Sequence, residues 1–552
     1  MRVPRVAGKA WVGFLLGFGS GQGPRLTKII SALSRSLFLE EKRFFMQKIY
    51  TIAPIGLKGT LVEVETNFSR HLPKIIVVGL PDASVQEAKE RVWAAIENTD
   101  LQFPRKKVVI NLAPAQIRKE GGAYDLPIAI SVLQTNGDIK LVGKKIAFIG
   151  ELSLLGEVKA VPGILVMVAS LKDMGFEEVF LPSGNAKEAS IIQGINIYPV
   201  KNLRQLVNHL DDKEKIELLS TLEFKAQPAK IAVDLSDVKG QSEAKRVLEI
   251  AAAGGHNVLM VGPPGAGKTL MAKSFLSILP EMSLKEALEV SKVHSLAGLL
   301  SEDNYLVDSR LLRAPHHSAS VSAIVGGGSW PRPGEISLAH HNVLFLDEIL
   351  EFPRQVLESL RQPLEDKIIT VSRVRGSLDF PANFILLATA NPCPCGYLLD
   401  QYKACVCSAA DIKRYQKRLS GPLLDRIDLH LLVKKVKSSD LGDFNIKTEQ
   451  SSIVQQRVNL AREKQRYRFK QDNFDLNSDI SAKVINNYCR ISNNSRKILQ
   501  QATDRMQLSA RAYFKVLKVA RTIADLGDSE YIGEKHILEA LQYRNRVFGD
   551  QV

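Results

Sequence analysis

The chain is 552 residues long, 45% hydrophobic and 24% charged, a balance expected of a soluble globular protein with about two to four domains. No apolar run reaches the roughly eighteen residues that a membrane span needs, which excludes a transmembrane class. The net charge of +15 points to an anionic partner such as nucleic acid, nucleotide or acidic lipid.

Residues 1–45 hold eight Lys/Arg against two Glu, so much of that charge sits at the start. "MRVPRVAGKAWVGFLLGFGSG" places basic residues ahead of a short apolar stretch, as a weak signal peptide does, but lacks a small-residue cleavage site. Strand-like alternation begins at Met46, so residues 1–45 read as a disordered extension or an over-extended translation start. Clustered thiols further along favour a reducing compartment, and the expected location is cytoplasmic.

From 46 to 210 strands and helices alternate. "KIIVVGL" (74–80) and "KKVVINLA" (106–113) are short β-branched runs bounded by Gly and Pro, predicting buried strands. "SVQEAKERVWAAIENT" (84–99) predicts an amphipathic helix with Ser84 as its N-cap. Residues 211–235 lose this rhythm and read as a linker, 236–435 form a second α/β region, and 436–552 are helical.

"GPPGAGKT" (262–269) follows the apolar strand "NVLMV" and precedes the helix "LMAKSFLSIL", the strand–loop–helix context of a P-loop. Gly262, Pro263, Pro264, Gly265, Ala266 and Gly267 form the loop whose N–H groups face phosphate. Lys268 is placed to reach the β and γ phosphates, and Thr269 to hold Mg²⁺. "NVLFLDEI" (342–349) delivers Asp347 to the Mg²⁺ shell and Glu348 as general base for the attacking water. "FILLATAN" (384–391) ends in Asn391, which can position that water. Arg426, in "SGPLLDRIDLH", can bring positive charge to a neighbour's γ-phosphate. Arg511, in "LSARAYFKVLKVARTIADL", is expected to sense nucleotide from the lid.

These motifs in this order resemble an AAA+ ATPase. "RAPHHSASVSAIVGGGSWPRPGEISLAH" (313–340), "SGPLLDRIDLH" and "VARTIADL" resemble the magnesium-chelatase-like branch, in particular its ComM/YifB members, over residues 46–545. The implied fold class is α/β: an N-terminal Lon-like (ribosomal S5 domain 2-like) α+β domain over 46–210, a P-loop AAA+ core over 236–435 and a helical lid over 436–552. The resemblance further implies a hexameric ring with Arg426 acting in trans, and a DNA motor driving branch migration in recombination and natural transformation. Two residues depart from the family pattern: Asn342 stands where Gly is usual and Leu350 where Pro is usual. Where Lon has its catalytic serine and lysine this chain has Ala123 and Leu165, so no peptidase chemistry is expected.

"IITVSRVRGSLDFPANF" (368–384) predicts a hairpin, and its Arg373 and Arg375 would meet DNA phosphates without reading sequence. His316 and His317 lack a third metal ligand nearby in sequence. Cys393, Cys395, Cys405 and Cys407 form C-x-C…C-x-C, a set that can close a structural Zn²⁺ site or stand as metal-free thiols. Cys489 reads as a helical core residue. A chelatase motor and a protein-remodelling ATPase stand as the alternative functions.

Overall fold

The computed structural model describes residues 48–141, 145–220, 222, 224–229, 233–328, 331–373, 376–398, 400–436, 448–472 and 474–544. The extension expected over residues 1–45 and the hairpin residue Arg375 lie outside the described residues.

The N-terminal unit is a seven-stranded mixed sheet built from β1 (Ile49–Ile55), β2 (Lys58–Ser69), β3 (Lys74–Val78), β4 (Lys107–Ala113), β5 (Ile146–Phe148), β6 (Glu178–Pro182) and β7 (Asn196–Val200). Their order is β3-β4-β2-β1-β5-β6-β7. The two runs read as strands are β3 and β4, paired in parallel. Helix α1 (Ala83–Glu97) begins earlier than the Ser84 cap predicts. Asp82 is the N-cap, its carboxylate accepting the Val85 N–H at 2.8 Å, which leaves Ser84 inside the first turn. Helix α2 (Asp125–Asn136) is almost wholly buried, and helix α3 (Ile164–Asp173) buries its apolar first half together with Leu171.

The second unit is a parallel sheet. Helix α4 (Ser242–Gly254) leads into β8 (Val258–Val261), whose loop opens α5 (Lys268–Ser274). Helix α6 (Leu284–Leu296), β9 (Leu312–Arg313) and β10 (Val343–Leu346) follow. The hairpin is β11 (Ile368–Arg373) with β12 (Gly376–Pro381), and β13 (Ile385–Ala390) and β14 (Leu429–Leu432) complete the sheet. Its order is β9-β10-β13-β8-β14, all neighbours parallel. β8 and β10 are buried along their whole length, as the continuous apolar runs "VLMV" and "VLFL" require of strands covered on both faces.

Helices α7 (Ser451–Arg468), α8 (Asn493–Met506), α9 (Ala510–Leu526) and α10 (Glu534–Gln542) form the C-terminal unit. They share one apolar core with α4 and β8, in which Val247 and Val258 join Val458, Val516 and Ile523. The buried Arg462 donates twice to the Ala252 carbonyl (2.9 and 2.7 Å), and Gln465 donates to Ala253 (3.0 Å). These bonds satisfy carbonyls at the end of α4 that the helix itself leaves unpaired.

The N-terminal and ATPase units meet where α6 lies on α3. Ser295 Oγ donates to the buried Glu188 carboxylate at 2.5 Å, and the Gly163 N–H donates to the Ser295 carbonyl at 3.0 Å.

Candidate active site

Strand register brings the chemistry to one rim. Val261 lies opposite Ala390, and Leu346 opposite Ala388, so the residues after each strand (Gly262, Asp347 and Asn391) leave the sheet at the same carboxyl edge. Parallel sheets present ligands at that edge. Residues 264–270 with Asp347, Glu348 and Asn391 line a cavity of about 370 Å³ there.

Gly265 and Gly267 adopt φ of +76° and +85°, and nothing lies within 4 Å of where a Cβ would stand. The loop is therefore left-handed and open on its inner side, a cradle that fits phosphate oxygens. Gly262 answers a different constraint, since a Cβ there would stand 2.3 Å from the Val433 carbonyl oxygen.

Lys268 is buried at the head of α5. Its ammonium donates to the carbonyls of Gly262 (2.6 Å) and Pro263 (3.0 Å) and to Asn391 Oδ1 (3.2 Å). Burial lowers its pKa, while the Asp347 and Glu348 carboxylates pull in the opposite direction. Thr269 Oγ1 donates to Asp347 Oδ2 at 3.1 Å, so the two residues expected to hold Mg²⁺ are already in contact.

The sequence reading missed Thr389. Its hydroxyl donates to Asp347 Oδ1 at 2.5 Å and accepts the Glu348 N–H at 2.9 Å. A hydroxyl inside the otherwise apolar strand "FILLATA" was the available signal. Glu348 itself sits in the left-handed region at φ +51°, a conformation that costs a non-glycine residue about 1–2 kcal/mol. The Thr389 bond and this fixed backbone together set where the carboxylate leaves the chain.

The two arginines lie elsewhere. Arg426 and Arg511 line a second cavity of about 640 Å³, and both bind one carboxylate. Arg426 Nη2 pairs with Glu365 Oε2, and Arg511 Nη2 donates to Oε1 at 2.8 Å. Burial raises the Glu365 pKa, but the two guanidinium groups outweigh it and leave the carboxyl below its usual range. Arg511, expected to sense nucleotide from the lid, stands beside Arg426 on Glu365. The cause is local, because Ser509, the N-cap of α9, donates to Asp425 Oδ2 at 3.0 Å and draws the start of the helix to the Arg426 loop.

The magnesium chelatase subunit ChlI family model matches residues 234–441. A second ChlI model matches 64–185, and the ChlI C-terminal model matches 448–544. Competence protein ComM of Haemophilus influenzae is 40% identical over 504 residues, covering 90% of this chain and 97% of that protein. YifB of Escherichia coli is 40% identical over 499 residues, covering 90% and 96%. The chain belongs to the ComM/YifB family of magnesium-chelatase-like AAA+ proteins.

The N-terminal unit is Lon-like: an archaeal Lon protease of Methanocaldococcus jannaschii is 27% identical over 108 residues, 20% of this chain and 16% of that protein. Ala123 and Leu165 are buried in a single apolar cluster against which Leu288 of α6 packs. The two positions where the Lon resemblance leads one to expect a serine and a lysine thus lie within an apolar cluster that also meets the ATPase unit. Of the departures from the family pattern, Asn342 does not take the left-handed turn; His341 does, at φ +54°. The Asn342 amide instead accepts the Leu311 N–H (2.9 Å) and donates to the His340 carbonyl (2.9 Å), joining β9 to β10. Leu350 is fully buried in the ATPase core.

The hairpin forms as read, but Arg373 folds back and donates to the Gly326 carbonyl at 2.8 Å. His316 bonds Ser318 Oγ at 2.7 Å and lies against His317, with their centroids 4.1 Å apart and the rings tilted by 32°. Glu289, His340 and His341 form a second polar cluster. Because His340 Nδ1 accepts the Asn383 N–H (3.1 Å), its Nε2 carries the proton toward Glu289 (3.3 Å), the geometry of a hydrogen-bonded triad and not of a metal ligand. The four clustered cysteines come together, every Sγ within 4.8 Å of the others, and Cys489 is buried at the end of a short helix.

Proposed function

We propose that the chain is an ATP-hydrolysing ring motor acting on DNA, a branch-migration helicase for recombination intermediates in natural transformation. The observation that carries this reading is the division of the machinery between two cavities. Lys268, Thr269, Asp347, Glu348 and Asn391 line one or bond within it, while Arg426 and Arg511 line the other. Such a chain hydrolyses ATP when the arginine cavity of one copy meets the phosphate cavity of the next, as in a hexameric ring.

Within that interface the loop N–H groups and Lys268 bind the β and γ phosphates, and Thr269 and Asp347 hold Mg²⁺. The ion, when bound, neutralises charge on the phosphates. Glu348 takes the proton from the attacking water, Asn391 orients that water, and Arg426 of the neighbour meets charge on the γ-phosphate. Structural Zn²⁺ on the four cysteines completes the cofactor set. Support for DNA comes from the +15 charge and from the name of the Haemophilus relative, a competence protein. The hairpin β11–β12, with Arg373 and Arg375, contacts phosphates in a sequence-independent way once Arg373 leaves the Gly326 carbonyl. The working compartment is the cytoplasm; no described helix is long and apolar enough to cross a membrane.

The family description favours one second reading, a chelatase-type or protein-remodelling motor. Steady-state ATPase activity of the full chain separates the two, measured without DNA and with single strand, duplex and a three-strand branched junction, and with Glu348→Gln as background. Stimulation greatest on the junction supports the helicase. No stimulation by any DNA, across a range of salt, transfers the assignment to the second reading.

A further inference from the structure

Between β13 and the helix Ala409–Gln416 the described residues of 391–408 form no helix or strand. A loop of this length has few apolar contacts of its own to hold one shape, and it carries four thiols. Cys393 Sγ lies 3.4 Å from Cys395 Sγ and 3.6 Å from Cys405 Sγ, and Cys395 and Cys405 are 3.6 Å apart. Cys407 completes the set, all four sulfurs lying within 4.8 Å of one another. Four thiolates around a tetrahedral ion with Zn–S bonds of about 2.3 Å lie roughly 3.8 Å apart. A disulfide needs about 2.05 Å and joins only two of the four. The spacing is that of a closed four-thiolate zinc shell with no position left for catalysis.

The second observation is what this knuckle touches. The Gly396 N–H donates to the Cys393 carbonyl at 3.0 Å, closing a tight turn around the first two cysteines. Gly396 has φ of +84°, and a Cβ there would stand 2.7 Å from Pro264 Cδ, so the turn is seated directly on the P-loop. Asn391, two residues before Cys393, accepts from Lys268. On the far side, Gln416 donates to the Pro392 carbonyl at 2.9 Å. The cysteine knuckle is thus wedged between the phosphate loop and the residue expected to position water.

We propose that zinc held by Cys393, Cys395, Cys405 and Cys407 acts as a positioning site for ATP hydrolysis: it fixes the Gly396 turn against Pro264 and Asn391 against Lys268. This deepens, and rests on, the ATPase and zinc readings above. The ion sets the shape of the nucleotide pocket from outside it and touches no reacting atom.

The test uses the full chain as purified, with metal content by mass spectrometry and the visible spectrum after Co²⁺ replacement. Mant-ADP affinity and the kcat and KM for MgATP are measured alongside. One zinc per chain and thiolate–Co²⁺ bands are expected. The distal pair Cys405→Ser/Cys407→Ser should lose the metal and weaken mant-ADP binding and kcat by tenfold or more. Gly396→Ala should keep one zinc per chain yet weaken both quantities, since its new methyl group pushes on Pro264 while all four thiols remain; it also guards against a cysteine variant that fails to fold. Absence of bound metal in the wild type, or iron in its place, overturns the zinc assignment. Loss of zinc with unchanged nucleotide affinity and turnover overturns the positioning role alone. A wild type that binds zinc but lacks ATPase activity overturns the enzymatic reading on which the inference stands.

Discussion

Thr389 uses both sides of one hydroxyl: it donates to Asp347 and accepts from the Glu348 N–H, so a single side chain holds both the carboxylate proposed for Mg²⁺ and the one proposed as general base. Thr389→Val keeps the shape of a fully buried position and removes both bonds. If the two carboxylates act in one reaction as proposed, the loss should fall on turnover, lowering kcat about tenfold with a smaller change in nucleotide affinity. Equal kcat in the variant would show that Asp347 and Glu348 hold their positions without it. Two neighbours give contrasting outcomes. Lys268→Ala should abolish nucleotide binding, because no other cation among the described residues lines the phosphate cavity. Glu348→Gln should retain ATP binding and lose roughly a hundredfold or more in kcat, the usual contribution of a positioned base. The P-loop, Asp347, Glu348 and Asn391 were legible in the sequence because each sits in, or directly ends, a recognisable apolar strand or its following loop. Thr389 was not, since a strand threonine acquires meaning only once the register shows which carboxylate lies beside it.

At the level of elements, α6 is bonded at its start within the ATPase unit and at its end to the Lon-like unit. Its first turn carries Glu286, which accepts both the Ser283 N–H (2.9 Å) and the Arg310 guanidinium (2.9 and 3.0 Å). Its last turn carries Ser295, bonded to Glu188 of the Lon-like unit. Burial pushes the Glu286 carboxyl up, but Arg310 and the Ser283 N–H outweigh it and bring the pKa to about 2. A folded-state value below the unfolded one, about 4.3, means stabilisation that is complete above that pH and lost as pH falls toward 2. Glu286→Gln should therefore cost about 2–3 kcal/mol at pH 7, and the difference from wild type should shrink steadily between pH 4.5 and 2. Arg310 keeps its bonds to the Pro280 and His341 carbonyls, so the variant is not left with an unpartnered guanidinium. Denaturation midpoints across that pH range decide it, and a constant difference would refute the linkage. Periodicity made these helices and strands readable one by one. Their docking was not readable, because the Ser295–Glu188 bond joins positions 107 residues apart, and the apolar cluster against which Leu288 packs is assembled from several elements of the N-terminal unit.

Across the whole molecule the deciding feature is where the positive charge sits. Motif order placed Arg511 in the lid but could not say which cavity it faces. The structure puts it beside Arg426 on Glu365, at a cavity that the phosphate loop does not line. The Arg426 loop is also held from the C-terminal unit, since Arg544 binds the Ile427 carbonyl and reaches the Asp425 carbonyl at 3.3 Å. A movement of the helical unit would therefore carry both arginines together, and in the proposed ring both would be offered to the same neighbouring copy. Mixing inactive chains tests this without further structural information. Glu348→Gln leaves a chain that offers arginines but cannot hydrolyse, and Arg426→Ala leaves one with an intact pocket but no finger. Alone, each should be nearly silent. Mixed in equal amounts before assembly, roughly a quarter of the interfaces in a random ring pair an intact pocket with an intact arginine, and ATPase activity should return to about that share. Replacing Arg426→Ala by Arg511→Ala in the mixture should give the same partial recovery if Arg511 also serves the neighbour. Recovery with Arg426→Ala and none with Arg511→Ala would return Arg511 to its own nucleotide. No recovery with either would place both arginines in cis and remove the ring from the mechanism.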